Sequence, residues 1–183
     1  MRIAGVYPLK NEIDFKIQHA VNEPYGLEMI LSVAKEEEYD VELFMSVKKE
    51  DREFISMNEG EMVEKISEFK PDIAAFSMYT CQYPMGTRIA RELKKRNPRI
   101  INIGGNRFPT FLGGRIEEPF DFFVVKEGEE TFRELLTKVE NRQDYGDVRG
   151  IYYKKNGNGV FSGIRARNFE LDSLPNALRF PIV

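Results

Sequence analysis

Thiol and imidazole ligands are scarce in this sequence, because Cys81 is the single cysteine and His19 is the single histidine. One thiol excludes a disulfide framework within the chain. It also excludes an iron–sulfur cluster or a zinc–thiolate site built from this chain alone, since these sites take several thiolates. No signal-peptide pattern follows Met1, which leads almost at once into an apolar strand. The sequence therefore predicts a cytosolic protein.

Long apolar runs and an excess of positive charge are also missing. No run approaches the roughly 18 apolar residues that a membrane-spanning helix needs. The formal net charge of −3 and the pI near 5.5 give no overall basic surface. The basic cluster within residues 94–99 is typical of a solvated helix face. We therefore expect neither a membrane span nor a nucleic-acid partner.

Two common phosphate-binding loops are absent as well. G-x-G-x-x-G does not follow the first predicted strand, and G-x-x-x-x-G-K-[ST] occurs nowhere in the sequence. No nucleophile and base can be paired by their spacing. The sequence therefore does not support a stand-alone hydrolase or reductase.

The residues that are present indicate a globular α/β protein. The 183 residues are 42% hydrophobic and 31% charged, which suits one domain of ordinary size with an appendage. Apolar runs alternate with apolar residues at helical spacing, a pattern typical of βαβ units. We predict a doubly wound, flavodoxin-like or Rossmann-like fold with a five-stranded parallel sheet in the order 2-1-3-4-5. The predicted strands are residues 3–7, 41–44, 73–76, 100–103 and 121–125.

Helices with one apolar stripe are predicted between these strands. The first opens at Pro24, because proline is tolerated in the first helical turn. The others carry their stripes within residues 62–69, 86–93 and 132–139. Residues 8–23 are predicted to form a long loop, and the densely charged residues 48–53 a solvated loop.

The pattern changes after residue 141. Residues 150–154 and 160–164 alternate around Asn156-Gly157-Asn158-Gly159, which predicts a β-hairpin. The last residues have no buried periodicity of their own, so an extended tail is expected. We divide the chain into an α/β domain (1–145), a β-hairpin appendage (146–166) and a linker (167–183).

Several short stretches stand at the ends of the predicted elements. They are Pro24-Tyr25-Gly26-Leu27 at the first helix, Ser77 after the third strand, Gly104-Gly105 after the fourth, Glu127-Gly128-Glu129-Glu130-Thr131-Phe132 after the fifth, and Leu171-Asp172-Ser173-Leu174-Pro175 in the tail. In order and spacing they resemble the amino-terminal cobalamin-binding-like domain of radical S-adenosylmethionine (SAM) proteins. That group includes the anaerobic magnesium-protoporphyrin monomethyl ester cyclase. The resemblance covers nearly the whole chain.

The resemblance implies a domain that holds a corrinoid between the carboxyl edge of its sheet and a neighbouring barrel. SAM and an iron–sulfur cluster would belong to a following radical SAM domain with a CxxxCxxC sequence. The chain is then expected to be a fragment that binds and positions cobalamin, and not to be catalytic alone. The parent would be a tetrapyrrole oxidative cyclase or a methyltransferase. Without its partner domain, the exposed face is expected to favour a homodimer.

Three positions depart from the pattern of that group. The corrinoid signature D-x-H-x-x-G does not follow the first strand, so any cobalamin is expected to be base-off and without a protein histidine ligand. Two positions after the glycine pair the group commonly has histidine, where this chain has Asn106 and then Arg107. Lys126 stands where that group has the first glycine of its G-E-G-E sequence. These departures motivate an alternative: a degenerate, non-binding domain that only docks on its catalytic partner.

The candidate site lies where the strands end, because ligands of open α/β sheets bind at the carboxyl edge. A glycine pair there either only terminates a strand or leaves room for a nucleotide tail. Ser77 either donates to such a tail or caps its loop. Tyr79 either contacts the macrocycle or packs its loop. The predicted cofactor-binding residues are Ser77, Tyr79, Thr80, Gly104, Gly105, Asn106, Arg107, Glu127 and Gly128, with no catalytic residue and no metal ligand.

Other polar residues near these strand ends have simpler explanations. Glu127, Glu129 and Glu130 surround a predicted helix start, where the helix dipole stabilises carboxylates. A paired-carboxylate acid/base site is the alternative. Cys81 either meets one face of a bound corrinoid or serves as a small apolar residue. Arg107 and Phe108 are expected either to fill the groove or to grip a phosphate.

Overall fold

The computed structural model of the protein describes residues 1–8, 24–50, 53–112, 118–168 and 170–179. Most of the loop predicted at residues 8–23, including His19, lies outside the described residues. The strands are β1 (Arg2–Tyr7), β2 (Asp40–Met45), β3 (Val47–Glu50), β4 (Glu53–Ser56), β5 (Ile73–Ser77), β6 (Ile101–Gly105), β7 (Phe122–Val124), β8 (Ile151–Lys155) and β9 (Asn158–Phe161). The helices are α1 (Tyr25–Glu36), α2 (Glu59–Phe69), α3 (Tyr83–Arg96), α4 (Arg107–Phe111) and α5 (Glu129–Glu140), with a 3-10 turn at Leu171–Ser173.

Five parallel strands form most of a seven-stranded sheet. The strand order is β2-β1-β5-β6-β7-β8-β9, and every pairing from β2 to β7 is parallel. Numbered along the chain, the parallel strands follow the order 2-1-3-4-5. The predicted fold class is therefore confirmed, and the five parallel strands have the predicted order, but the sheet has two further strands at its carboxyl-terminal end.

The predicted carboxyl-terminal hairpin is present and extends this sheet. β8 pairs antiparallel with both β7 and β9. Asn156 and Gly157 connect β8 to β9 with φ angles of 53° and 80°. Positive φ at both residues is typical of the type I′ turn, whose twist matches that of the two strands.

Each face of the sheet is covered by its own helices. Ile73, Ala75 and Ile103 pack in one core cluster with apolar residues of α1 and α5. Ala74 and Phe76 point to the other face and pack with residues of α2 and α3. Because both faces are covered, β5 is buried along its whole length, as its continuous apolar sequence predicts.

The charged segment after β2 differs from its prediction. Residues 48–53 were expected to form a solvated loop, but β3 and β4 pair antiparallel from Val47 opposite Ser56 to Glu50 opposite Glu53. The prediction was wrong because charged residues do not prevent pairing in a two-stranded ribbon, where backbone hydrogen bonds supply the order. The β-forming residues Phe54 and Ile55 follow the charged run in the sequence.

The tail leaves β9 and crosses towards α1. The backbone N–H of Leu178 donates to the hydroxyl of Ser32, on α1, at 2.8 Å. The tail contains the 3-10 turn at Leu171–Ser173. Residues 162–168 and 174–179, on either side of it, have no regular secondary structure. Within the described ranges no helix combines the length and the apolar character that crossing a bilayer takes.

Candidate functional site

A cleft of about 240 Å³ opens at the carboxyl ends of β5, β6 and β7. Its two walls are the amino-terminal turns of α1 and α5, and its floor is the sheet. The cleft therefore lies where the fold predicts ligand binding. It is lined by Gly26, Leu27, Ile30, Ala75, Phe76, Ser77, Tyr79, Ile103, Gly104, Gly105, Asn106, Val124, Lys126, Gly128, Glu129 and Phe132.

The strand register places the residues of the floor. Ala75 lies beside Ile103, and Ser77 lies beside Gly105. Successive side chains of a strand point to opposite faces, so these four residues share the face covered by α1 and α5. The floor is therefore apolar except for the hydroxyl of Ser77.

The two glycines at the end of β6 lack side chains for different reasons. A Cβ on Gly104 would lie 2.6 Å from Met78 Cε and 2.6 Å from Phe123 Cδ1, in the core on the opposite face. A Cβ on Gly105 would have only the carbonyl oxygen of Phe76 nearby, at 3.9 Å. Gly104 thus permits close packing of the core, whereas Gly105 leaves the floor of the cleft open.

Glycines also shape the walls. A Cβ on Gly26 would meet no heavy atom within 4 Å, so its missing side chain widens the cleft at α1. A Cβ on Gly128 would lie 3.0 Å from Val124 Cγ1 and 3.1 Å from Ile30 Cδ1. Gly128 therefore lets the start of α5 approach the sheet and α1 closely.

Asn106 joins the ends of β5 and β6 at the cleft. Its side-chain amide donates from Nδ2 to Ser77 Oγ at 3.0 Å, and its Oδ1 accepts from the backbone N–H of Arg107 at 2.7 Å. Its backbone has φ 81° and ψ −164°, a conformation that is adopted almost only by glycine. Ser77 is 7% exposed and its side chain contributes to the cleft.

The loop after β5 is held by a buried glutamine. The side chain of Gln82 accepts from the backbone N–H of Tyr79 at 2.9 Å. Gln82 is also hydrogen-bonded to Tyr7, at the end of β1; burial raises the pKa of the Tyr7 phenol, and this hydrogen bond opposes the rise. Tyr79 is 43% exposed beside the cleft. The loop therefore presents Tyr79 on a fixed backbone.

Sequence comparison assigns the chain to a family. Residues 19–136 match the B12-binding domain family (B12 binding domain), which is more than half of the 183 residues. The chain belongs to this family. The resemblance expected from the sequence, to the cobalamin-binding-like domains of radical SAM proteins, is thereby confirmed.

Curated relatives of the B12-binding domain are much longer proteins. The anaerobic magnesium-protoporphyrin IX monomethyl ester cyclase of Synechocystis sp. is 32% identical over 110 residues, which are 57% of this chain and 22% of the relative. TokK of Streptomyces tokunonensis, a cobalamin-dependent radical SAM methyltransferase, is 33% identical over 104 residues, which are 55% of this chain and 15% of the relative. The matched part of the chain thus spans less than a quarter of these relatives.

Solved structures share the fold of the B12-binding domain. The cobalamin-dependent SAM radical enzyme OxsB, with aqua-cobalamin and SAM bound, matches with a TM-score of 0.72 at 19% identity, over 94% of this chain and 23% of OxsB. The radical SAM methyltransferase TsrM from Kitasatospora setae, with cobalamin and a [4Fe-4S] cluster bound, matches with a TM-score of 0.68 at 15% identity, over 95% of this chain and 30% of TsrM.

Three of the predicted site residues lie outside the cleft of the B12-binding domain. Thr80 is exposed on the loop after β5. Arg107 and Glu127 line a neighbouring groove instead, where Glu127 pairs with Arg167 at 3.0 Å. Phe108 packs against Tyr83, with ring centroids 4.5 Å apart. The expectation that Arg107 and Phe108 fill the cleft is wrong, because α4 begins at Arg107 and directs both side chains away from it.

The neighbouring groove, which we call the charged groove, lies between the start of α5 and the tail. It has a volume of about 1270 Å³. Five of its side chains are cationic and three are carboxylates; they are Arg107, Lys126, Arg149, Arg165 and Arg167, with Glu127, Glu129 and Glu130. Lys126 also lines the cleft, and its φ of 60° is a conformation that glycine adopts more readily than lysine.

Several cleft residues were not predicted from the sequence. Gly26, Leu27 and Ile30 belong to α1, which is far from the strand ends along the chain and reaches them by packing on β5 and against α5. The helical stripe of α1 and Gly26 could be recognised in the sequence, but their position beside the site could not.

Two exposed aromatic residues also stand at this edge: Tyr25, 64% exposed, at the start of α1, and Phe111, 80% exposed, at the end of α4.

The described residues contain no group of three or more histidine, cysteine, aspartate or glutamate side chains arranged to hold a metal ion. The thiol of Cys81 is free and exposed on the loop after β5. Glu130 pairs with Arg133 at 2.7 Å near the start of α5, so its carboxylate stands in an ion pair.

Proposed function

We propose that this chain binds cobalamin and positions it for the radical SAM enzyme of which it forms a part. The observation that carries the proposal is the cleft at the carboxyl ends of β5, β6 and β7 in a member of the B12-binding domain family. Its residues fit part of a corrinoid, because Gly26 and Gly105 keep it open and Ser77 supplies a polar group.

The size of the cleft indicates which part of cobalamin enters it. Pockets that enclose a whole drug-sized ligand measure roughly 300–1,000 Å³, whereas this cleft measures about 240 Å³. The nucleotide tail, with its flat base, suits a cleft with an apolar floor and one hydroxyl. We propose that Ser77, Gly104, Gly105, Asn106 and Gly128 surround this tail.

The corrin macrocycle then remains outside the cleft, on the edge of the sheet. Tyr79 and Thr80 are exposed there on the loop after β5, close to the cleft mouth. Flat aromatic side chains offer large contact area at little cost in conformational entropy. We propose that this loop contacts the macrocycle. Arg107 and Glu127 belong to the charged groove and would face the periphery of the cofactor.

Cobalamin is proposed to be bound base-off and without a protein histidine on cobalt. The absence of D-x-H-x-x-G after β1 supports this. Tyr7 ends β1, where burial raises the pKa of its phenol. Cobalamin, when bound, supplies an organometallic cobalt centre, and this chain supplies its binding and orientation.

The catalytic partner is proposed to be a radical SAM domain that carries the iron–sulfur cluster and binds SAM. The names of the curated relatives and their greater length support this. The parent enzyme would be an oxidative cyclase or a methyltransferase, in which residues 1–145 bind cobalamin, 146–166 form the hairpin and 167–183 lead to the partner domain. A CxxxCxxC sequence in the genomic reading frame beyond Val183 would support this, and a stop codon directly after Val183 would count against it.

Two further properties accompany the proposal. A cytosolic location suits the free, exposed thiol of Cys81, since reduced thiols persist in that compartment.

Self-association of the chain through the face meant for the partner domain is proposed as well. Sedimentation velocity measures this directly, and a monomer at all concentrations would exclude the homodimer.

Retention of cobalamin tests the function. Purified chain mixed with hydroxocobalamin and passed through a desalting column is expected to keep the corrinoid colour in the protein fraction. Reduced to cob(II)alamin, the bound cofactor is expected to give an electron paramagnetic resonance signal without splitting by an axial nitrogen. Colourless protein under all conditions would instead support the degenerate domain that only docks on its partner.

A further inference from the structure

We infer that the part of the tail between residues 165 and 178 is a strap, which fastens the two walls of the cleft to each other and must be released before cobalamin enters or leaves. This rests on the proposed function in that cobalamin is the ligand. The fastening itself is a property of the chain alone, and it gives the tail control over how fast the cleft opens.

One end of the strap is bound to α5. Arg165 forms an ion pair with Glu134, and its Nε donates to Thr131 Oγ1 at 2.9 Å. Both partners lie in the first two turns of α5, and Thr131 precedes Phe132, which lines the cleft. Hydrogen bonds between charged groups are stronger than those between neutral groups. The strap therefore holds α5 near the end that forms the wall.

The other end of the strap is bound to α1. The backbone N–H of Leu178 donates to Ser32 Oγ at 2.8 Å. Ser32 is fully buried, and it lies two residues after Ile30, which lines the cleft. The Ser32 hydroxyl donates in turn to the carbonyl oxygen of Glu28 at 2.7 Å, so its position on the helix is fixed. The strap therefore holds α1 near its wall as well.

Between its ends the strap stands away from α5. Its middle part is bonded to itself: the Ser173 N–H donates to the carbonyl oxygen of Glu170 at 3.0 Å, and the Glu170 N–H donates to Asn168 Oδ1 at 2.9 Å. The space between the strap and the start of α5 is the charged groove, of about 1270 Å³. Arg167 pairs with Glu127, but both side chains are more than half exposed, so the pair contributes little. The strap is therefore fixed chiefly at its two ends.

The two walls are packed closely against each other. A Cβ on Gly128, at the start of α5, would lie 3.1 Å from Ile30 Cδ1 of α1. The cleft between them measures about 240 Å³, which is less than the roughly 300–1,000 Å³ of pockets that enclose a drug-sized ligand. A base that carries its ribose and phosphate can pass only when α1 and α5 separate. Because the strap connects the same two helices, it opposes this separation.

Leu178→Pro releases the α1 end of the strap, because proline has no N–H. Leu178→Ala is the matched control, since it keeps this donor, and Leu178 is 41% exposed, so neither change disturbs the core. Association and dissociation rates of hydroxocobalamin are measured by stopped-flow absorbance. Leu178→Pro is expected to raise both rates about two- to tenfold, as the loss of one hydrogen bond allows. The dissociation constant should not change, because the strap is fastened over the empty and the occupied cleft alike. Leu178→Ala is expected to keep the rates of wild type.

Arg165→Met releases the α5 end and keeps an apolar stem of similar length. Because release at either end frees the strap, the double variant Arg165→Met/Leu178→Pro should be no faster than the faster single variant. Rate effects that add in the double variant would contradict the strap. So would a faster dissociation with an unchanged association rate, because that result would mean that the tail holds the cofactor directly.

Amide hydrogen exchange of the cofactor-free chain separates the strap from the proposed function. Leu178→Pro is expected to exchange faster than wild type and Leu178→Ala in α1 and α5, and equally in α2 and α3, which pack on the other face of the sheet. Rates and exchange equal to those of wild type would overturn the strap and leave the proposed function intact. A wild-type chain that binds no cobalamin would overturn the proposed function, whereas the exchange result would still decide whether the strap fastens the walls.

Discussion

Single residues decide which part of the sheet edge is open to a ligand. Gly104 and Gly105 both line the cleft, yet a side chain would enter it only at Gly105. At Gly104 the phenyl ring of Phe123 occupies the place of a side chain, and at Gly105 that place is empty. Ser77 stands beside Gly105 in the adjacent strand and provides the polar group. An empty position and a hydroxyl therefore stand side by side on the floor of the cleft.

Alanine at the two glycines is predicted to affect folding differently. Gly104→Ala places a Cβ 2.6 Å from the Phe123 ring, which cannot move without disturbing the core, so we expect a loss of about 1–3 kcal/mol in the free energy of unfolding. Gly105→Ala makes only an ordinary contact at 3.9 Å, so its change should stay within about 0.5 kcal/mol. Urea unfolding of both variants measures this. Equal losses would show that the two residues do not face opposite sides of the sheet.

At the scale of elements, α1 and α5 form the walls of the cleft and are tied together by polar side chains. The hydroxyl of Tyr39, just after α1, donates to Glu140 at the end of α5 at 2.7 Å. Arg133 of α5 pairs with Glu36 and Glu37 at 3.1 Å each. Exposed pairs of this kind contribute at most about 1 kcal/mol each. Together they hold the spacing of the two walls away from the site itself.

The Tyr39 contact predicts a loss of stability at alkaline pH. Burial and the hydrogen bond to Glu140 raise the pKa of Tyr39 from 10.0 to about 12. The folded chain therefore holds this proton more tightly than the unfolded chain. The contribution of the contact is complete below pH 10 and is lost as the pH rises towards 12.

Urea unfolding between pH 8 and 12 checks this contribution. In wild type the free energy of unfolding is expected to fall across that range. Tyr39→Phe is the matched control, because it keeps the ring and removes the ionisable group. Its stability should fall less steeply than that of wild type, and identical slopes would contradict the assignment.

At the scale of the whole molecule, the parts of the fold that rest on local periodicity could be predicted from the sequence. The apolar run 73–76 and the stripe of α5 lie where the pattern places them. The β3–β4 ribbon was mispredicted, because its pairing depends on backbone hydrogen bonds that charge density does not report. The five-residue helix α4 is too short to have a periodicity of its own.

The cleft could be predicted only in part, for a related reason. Ser77 and Gly105 follow adjacent parallel strands, so the topology alone brings them together. Gly26 and Ile30 reach the same cleft through the packing of α1 on α5, which no local signal reports. Arg107 was placed in the site because it follows β6, but the turn into α4 carries it into the charged groove.

A side chain that fills the cleft should block the binding of cobalamin there. Gly105→Leu adds a side chain to the open floor at a position without a positive φ, so the fold should tolerate it. Cobalamin and cobinamide dissociation constants are measured for both chains by absorbance titration. We predict that wild type binds one cobalamin, that Gly105→Leu binds it at least about tenfold more weakly, and that the two chains bind cobinamide equally. Equal cobalamin affinity of the two chains, or no binding by wild type, would contradict the account.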